Sequence, residues 1–199
     1  MKILFLTNNS VSAPLAEWLS SRPERNEVIV HQEKLTVEDL RMVQPELVIS
    51  YSYKHILKQE VLDVLPAKFI NLHISFLPFN RGADPNAWSF LEDTPKGVSI
   101  HLIDHGVDTG RVLVQKRVMF DEENETLGNA YSILQKEVQE LFRESWDRLR
   151  SGAIQPVEQD GAGTFHSARE FAEIQSELLG AEGWNVKIGV FKSRFRKTK

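Results

Sequence analysis

The chain has 199 residues, 41% of them hydrophobic and 26% charged, which suits one globular domain and excludes a disordered chain. It has no cysteine, so a disulfide scaffold, a thiolate zinc site and a Cys nucleophile are all excluded. Lys192, Arg194, Arg196, Lys197 and Lys199 put five of the 24 basic residues at the very end, leaving 19 against 28 acidic ones in the body, a poor match for nucleic acid.

Lys2 to Thr7 reads as a strand that runs into Asn8 and Asn9 without a signal peptide's long apolar core, and no apolar run reaches the roughly 18 residues of a membrane span. A cytoplasmic protein without membrane contact is expected. Ala13 to Leu19 follows with Leu15, Trp18 and Leu19 on one helical face. Next come a strand at Val28 to His31, a helix at Val37 to Val43 and a strand at Leu47 to Ser50. The spacing of Ile56, Leu57, Val61, Leu62 and Leu65 predicts a helix from Tyr53 to Leu65, stopped by Pro66, before a strand at Phe69 to His73. Short apolar strands alternating with helices predict an α/β fold, a Rossmann-like, mostly parallel sheet with helices on both faces.

Residues 75 to 97 interrupt that rhythm with Pro78, Gly82, Pro85, Pro95 and Gly97 around one helix near Asn86 to Leu91. A long loop inside a compact domain is where function is expected. Strands at Val98 to Ile103 and Val112 to Met119 flank the turn from Asp104 to Gly110, and the longest helix runs from Thr126 to Leu149. Beyond it, a loop at Pro156 to Thr164, a helix at Ala168 to Leu179 and a last strand at Val186 to Phe191 are expected. This divides the chain into a catalytic domain, 1–152, and a short C-terminal appendage, 153–199.

The turn after the first strand, Leu6 to Ser10, is neither a dinucleotide fingerprint nor a P-loop. A better constellation lies further on. Asn71 and His73 are two apart on a strand and so leave the same face, and Asp108 lies in a loop that can meet them. An amide donor, an imidazole and a carboxylate without a Ser or Cys nucleophile suit direct attack of an amine on a carbonyl. Asn71 would donate to the developing oxyanion, His73 as imidazolium would donate as well, and Asp108 would hold that cation. Residue types alone leave open a structural histidine and a chance Asn-x-His.

Asn71-Leu-His-Ile-Ser-Phe-Leu-Pro78, then Asn80-Arg-Gly82 and Val107-Asp-Thr-Gly110, resemble in order and spacing the signature of the folate-dependent formyltransferases. The resemblance covers about residues 1–150. It implies that Asn71, His73 and Asp108 are catalytic, that 10-formyltetrahydrofolate is the co-substrate, and that no metal is needed. It also implies a pterin site between two segments: Tyr53, Lys54, His55, Ile56 and Leu57 on one side, and Ile103, Asp104, His105, Gly106 and Val107 on the other. His101 is expected to be structural, the role of His105 is open, and His31 and His166 have no evident partner.

Within that family, methionyl-tRNA formyltransferases continue into a further domain that helps hold tRNA, and glycinamide ribonucleotide transformylases carry a glycine-rich phosphate turn where this chain has Asn8, Asn9 and Ser10. A deformylase usually has a regulatory domain before the catalytic one, and none is expected before Met1. The stretches 80–88, 94–97 and 159–166 are most similar to the short sugar N-formyltransferases. The expected acceptor is therefore the amine of a nucleotide-linked sugar, met by Asn8, Asn9, Ser10, Arg81, Gly82, Asp84 and Trp88. Glycinamide ribonucleotide, methionyl-tRNA and a noncatalytic folate- or nucleotide-binding module are the alternatives. The apolar residues beyond 165 need a cover, and a homodimer through an edge strand at Val186 to Val190 is one expectation.

Overall fold

In the computed structural model, residues 1–66 and 68–198 are described; Lys199, the last residue of the basic tail, lies outside them. The elements in chain order are β1 (Lys2–Leu6), α1 (Ala13–Ser20), β2 (Glu27–His31), α2 (Val37–Val43), β3 (Leu47–Tyr51), α3 (Gln59–Leu62), β4 (Lys68–His73), β5 (Arg81–Gly82), α4 (Pro85–Leu91), β6 (Gly97–Leu102), β7 (Val112–Arg117), α5 (Leu127–Arg150), β8 (Phe165–His166), α6 (Ala168–Leu179) and α7 (Ile188–Thr198). Six strands form one sheet in the order β2-β1-β3-β4-β6-β7. The pairs β1·β2, β1·β3 and β3·β4 are parallel, and β4·β6 and β6·β7 are antiparallel.

Side-chain alternation along β1 explains the layers. Ile3 and Phe5 enter a core with Leu15 and Leu19 of α1 and Leu134, Val138, Phe142 and Trp146 of α5, whereas Leu4 and Leu6 enter one with Leu40 of α2 and Val61 of α3. β1 from Ile3 onward and the whole of β3 are thus buried, and all but Ser50 of these residues are apolar, because both of their faces are covered. Thr36 starts α2 through a reciprocal capping box with Asp39, and the Thr126 hydroxyl accepts the Asn129 N–H at the start of α5.

Two expected elements differ. The helix predicted over 53–65 is reduced to α3, because tertiary bonds claim its first half: the Tyr53 hydroxyl donates to the Glu33 carbonyl and accepts the Leu35 N–H, while the Lys54 N–H donates to Asn8. The strand predicted at Val186 to Phe191 is the start of α7, whose buried Ile188 and Phe191 and partly buried Phe195 follow helical spacing. Its one strand-like feature is a bridge between Thr126 and Lys187 within the chain, so the edge strand expected to seed a dimer is absent from that segment.

The C-terminal residues bury most of their apolar groups on their own chain, while Phe165, Trp184 and Val190 stay exposed. Phe171, Leu178, Leu179, Val186, Ile188 and Phe191 pack with Trp88, Phe90 and Leu91 of α4 and Leu127 and Ala130 of α5. The short β8 pairs in parallel with β5, which fixes this wall beside the long loop. Among the described residues, no helix is long and apolar enough to cross a membrane.

Candidate active site

β4 delivers Asn71 and His73 to one side of the sheet, and the β4·β6 ladder sets His101 opposite Asn71. Because β6 runs against β4, it ends beside Ile70, and the following loop folds back to bring in Asp108. Two glycines allow that fold. A Cβ on Gly110 would lie 1.8 Å from the Leu102 carbonyl oxygen, and one on Gly106 would lie 2.1 Å from the Thr109 hydroxyl.

Asp108 is the hub. Its Oδ1 accepts from Asn71 Nδ2 at 3.1 Å and lies 3.3 Å from His101 Nε2; its Oδ2 accepts the Gly82 N–H at 2.9 Å and lies 3.6 Å from His73 Nδ1. Burial by itself would raise the pKa of this carboxyl, but the charge of His73, the hydrogen bond and charge of His101 and the Gly82 N–H outweigh it and hold Asp108 well below the usual carboxylate range. His73 Nε2 lies 3.0 Å from the Asn80 carbonyl oxygen, which only accepts, so that nitrogen carries a proton. Its Nδ1 faces the Asp108 carboxylate.

The site is stiffened by unusual backbone. Ser52, Asn80, Asp84 and Asp108 all have positive φ between 51° and 56°, a sparsely populated region that neighbouring contacts must enforce. Gly82 has φ +88°, and a Cβ there would lie 2.2 Å from the His166 carbonyl oxygen, so only glycine lets β5 approach β8 while its N–H holds Asp108. The peptide bond between Leu77 and Pro78 is cis.

These residues floor a cleft of about 920 Å³. Asn71, His73 and Asp108 line it, as do Tyr53, Lys54, His55, Ile56 and Leu57 after β3 and Ile103, Asp104, Gly106 and Val107 after β6. Asn9, Gly82 and Asp84 line it too. The remaining expected positions do not. His105 is exposed outside the cleft, and Ser10 opens a short 3-10 turn. The Asn8 amide is spent on the Gln32 carbonyl at 2.7 Å and the Lys54 N–H at 3.0 Å. The Arg81 guanidinium grips Gln159 Oε1 at 2.8 and 3.0 Å, and Trp88 is core, its ring stacked 3.8 Å from that of His166.

Sequence reasoning missed several members. His101, expected to be structural, contacts Asp108 and lines the cleft. Gln159 Nε2 donates to the carbonyls of Asp108 and Gly110, both at 2.8 Å, and so ties the Asp108 loop to Arg81. Tyr51 and Gln135 also line the cleft; burial pushes the Tyr51 phenol up to about 12, so it stays protonated. His166 lies 3.0 Å from Glu92. The alternation His101-Leu102 against Asn71-Leu72 was the one available signal, readable only with the strand pairing in hand. Among the described residues, no group of three His, Asp or Glu side chains is placed to hold a metal.

A family model described as "Formyl transferase" matches residues 14–145. This chain belongs to the formyl transferase family. The formyltransferase PseJ from Anoxybacillus kamchatkensis, crystallised with UDP-4,6-dideoxy-4-formamido-L-AltNAc and tetrahydrofolate, is 36% identical, with a TM-score of 0.88 over 98% of this chain and 100% of that one. Methionyl-tRNA formyltransferases from Pelobacter propionicus and Clostridium botulinum are 31% and 37% identical over 74% and 83% of this chain. The alignments take in 50% and 57% of those two proteins, so the chain spans about half the length of the curated relatives it matches.

Proposed function

We propose that this formyltransferase transfers the formyl group of 10-formyltetrahydrofolate to the primary amine of a nucleotide-linked amino sugar, with Asn71, His73 and Asp108 as its catalytic residues. The observation that carries the reading is the likeness to PseJ over the whole of both chains, joined to the Asn71-His73-Asp108 cluster on the cleft floor. The methionyl-tRNA relatives are matched over only part of their length, and the acidic body of this chain suits a small acceptor better than tRNA.

The folate fits the cleft residues. Ile56, Leu57, Ile103 and Val107 offer apolar walls for a flat heterocycle, and the irregular backbone of 53–57 and the turn at 104–106 offer N–H and C=O groups for its polar edge. When bound, it supplies an activated formyl carbon. Asn71 Nδ2 then donates to the formyl oxygen as negative charge develops there, in a site largely shielded from water. His73, with its Nε2 proton held by the Asn80 carbonyl and its Nδ1 toward Asp108, is a second donor whenever Nδ1 also carries a proton. Asp108 holds Asn71 and both histidines in place while remaining ionised.

The test is to incubate the protein with 10-formyltetrahydrofolate and, separately, a UDP-linked 4-amino sugar, a dTDP-linked 3-amino sugar, glycinamide ribonucleotide and methionyl-tRNA, following tetrahydrofolate release and product mass. Formylation of a nucleotide sugar is the expected result. Formylation of methionyl-tRNA with both sugars inert would replace this reading with the tRNA one.

A further inference from the structure

At neutral pH the acceptor amine is an ammonium ion, and it needs a lone pair to attack. One proton therefore has to leave before the new C–N bond forms, and the site needs a base. The groups at its centre are set against that task. Asp108 is contacted by Asn71, Gly82, His73 and His101 and held well below the usual carboxylate range, which makes it a weak base. His73 has an acceptor facing each nitrogen, so it is arranged to donate. His101 Nδ1 donates to the Leu102 carbonyl, and its Nε2 faces Asp108.

Several other titratable groups of the cleft are also engaged. Asp104 accepts from the Gly106 N–H and the Thr109 hydroxyl, and His166 lies between Glu92 and Glu170. The Tyr131 hydroxyl is contacted by Asn9 Nδ2 at 3.4 Å. Among the described residues the Lys54 side chain and the buried His55 Nε2 have no hydrogen-bond partner, but a lysine brings positive charge, which repels an ammonium ion, and the His55 ring packs on Tyr53 in the segment read as the folate side of the cleft.

Asp84 differs from the other carboxylates of the cleft, Asp104 and Asp108. It lines the cleft, yet among the described residues its carboxylate has neither a hydrogen bond nor an ion pair. It stands at the cap position of α4 but makes no cap bond, because its φ of +51° turns the chain into the left-handed region. That conformation is enforced from outside: Gly82 pairs with His166, and the Ala83 N–H donates to the His166 carbonyl at 2.9 Å. Burial raises the pKa of the Asp84 carboxyl, the change that makes a carboxylate a better base. It also sits two residues from the N–H that anchors Asp108.

We propose that Asp84 binds the acceptor's ammonium group and takes its first proton, as a further catalytic residue of the transfer. The inference rests on the reading given under Proposed function. In the step, R–NH3+ and the Asp84 carboxylate become R–NH2 and the Asp84 carboxylic acid. The amine nitrogen bonds to the formyl carbon, the bond from that carbon to N10 breaks, and the second proton of the attacking nitrogen passes to N10. Asp84 then loses its proton to water, which completes the balance.

The test uses Asp84→Asn, which keeps the shape and tolerates a left-handed backbone, and two acceptors: the UDP-linked 4-amino sugar and its 4-hydroxylamino counterpart, which is neutral at pH 7. Turnover of the amino sugar should fall by about a hundredfold, the usual worth of a general base, while the hydroxylamino acceptor, needing no deprotonation, keeps most of its rate. Calorimetry without the folate should show weaker binding of the amino sugar and unchanged binding of UDP. Equal losses with both acceptors, or a loss of UDP binding, would show that Asp84 only shapes the site and would overturn the proposal. A wild-type protein that formylates no amino sugar defeats the functional reading itself, whereas an active wild type with an equally active variant defeats only the role of Asp84.

Discussion

In the sheet, neighbouring residues of one strand serve two different cores: Ile3 and Phe5 face α1 and α5, and Leu4 and Leu6 face α2 and α3. In the C-terminal wall, by contrast, α6 and α7 bury single stripes, Phe171 with Leu178 and Ile188 with Phe191, against α4 and the first turn of α5. Strands covered on both faces write their position into a run of apolar residues. A wall helix writes only a stripe, and the stripe does not name its partner. The two regions also divide the site, since the sheet brings Asn71, His73 and His101, and the wall brings His166, Phe165 and Trp184 to the same cleft. The long helix α5 joins them, with Leu127 and Ala130 in the wall core and Leu134 to Leu149 in the sheet core.

The strongest way to break this comparison is Phe191→Ala, which empties a fully buried position in the wall. It should cost about 3–5 kcal/mol and, because α5 is shared, lower the midpoint of a single unfolding transition. Two separate transitions in a denaturant titration would mean that the wall folds independently. Asn71→Ala acts on the sheet side, where it should reduce turnover by about a hundredfold with little change in melting temperature. Near-normal turnover would show that another donor meets the formyl oxygen.

Gly82→Ala tests the seam between the regions. The added Cβ meets the His166 carbonyl in a backbone region closed to alanine, so a loss of about 1–3 kcal/mol is expected, with turnover falling further as Asp108 loses its N–H partner. Unchanged stability would mean that β5 and β8 can separate at no cost. The smallest effect concerns acid. The carboxyl of Asp108 is depressed in the folded state, so it contributes stability that is fully present above the ordinary Asp value near 3.9 and lost as pH falls through the lower folded value. Asp108→Asn should flatten the acid limb of a stability profile below about pH 4, and a limb of unchanged slope would assign it to other carboxylates.

The cluster of Asn71, His73 and Asp108 was legible because Asn71 and His73 share a strand face, the Asp104 to Gly110 turn marks its own loop with Asp and Gly, and the ordered motif that contains all three resembles that of the formyltransferases. α2, α5 and α6 were legible through caps and stripes written within about one helix length. His101 was not, since its part depends on a strand pairing that sets it opposite Asn71. The segment 53–58 was misread because an apolar stripe suited a helix, while bonds to residues 8, 33 and 35 held it out of one.

By itself, then, the sequence determined the α/β alternation and the double-sided burial of the central strands, which follow from side-chain period over short spans, and it pointed to the trio on the cleft floor through the ordered motif it shares with the formyltransferases. Only the tertiary structure decided that β5 and β8 pair, that Gln159 holds Arg81 to the Asp108 loop, and that Val186 to Phe191 enters a helix. Each of those joins residues dozens of positions apart or settles a competition between strand and helix by what is available to pack against. Such outcomes are set by the free energy of the whole chain, where a distant hydrogen bond or a buried face outweighs local preference.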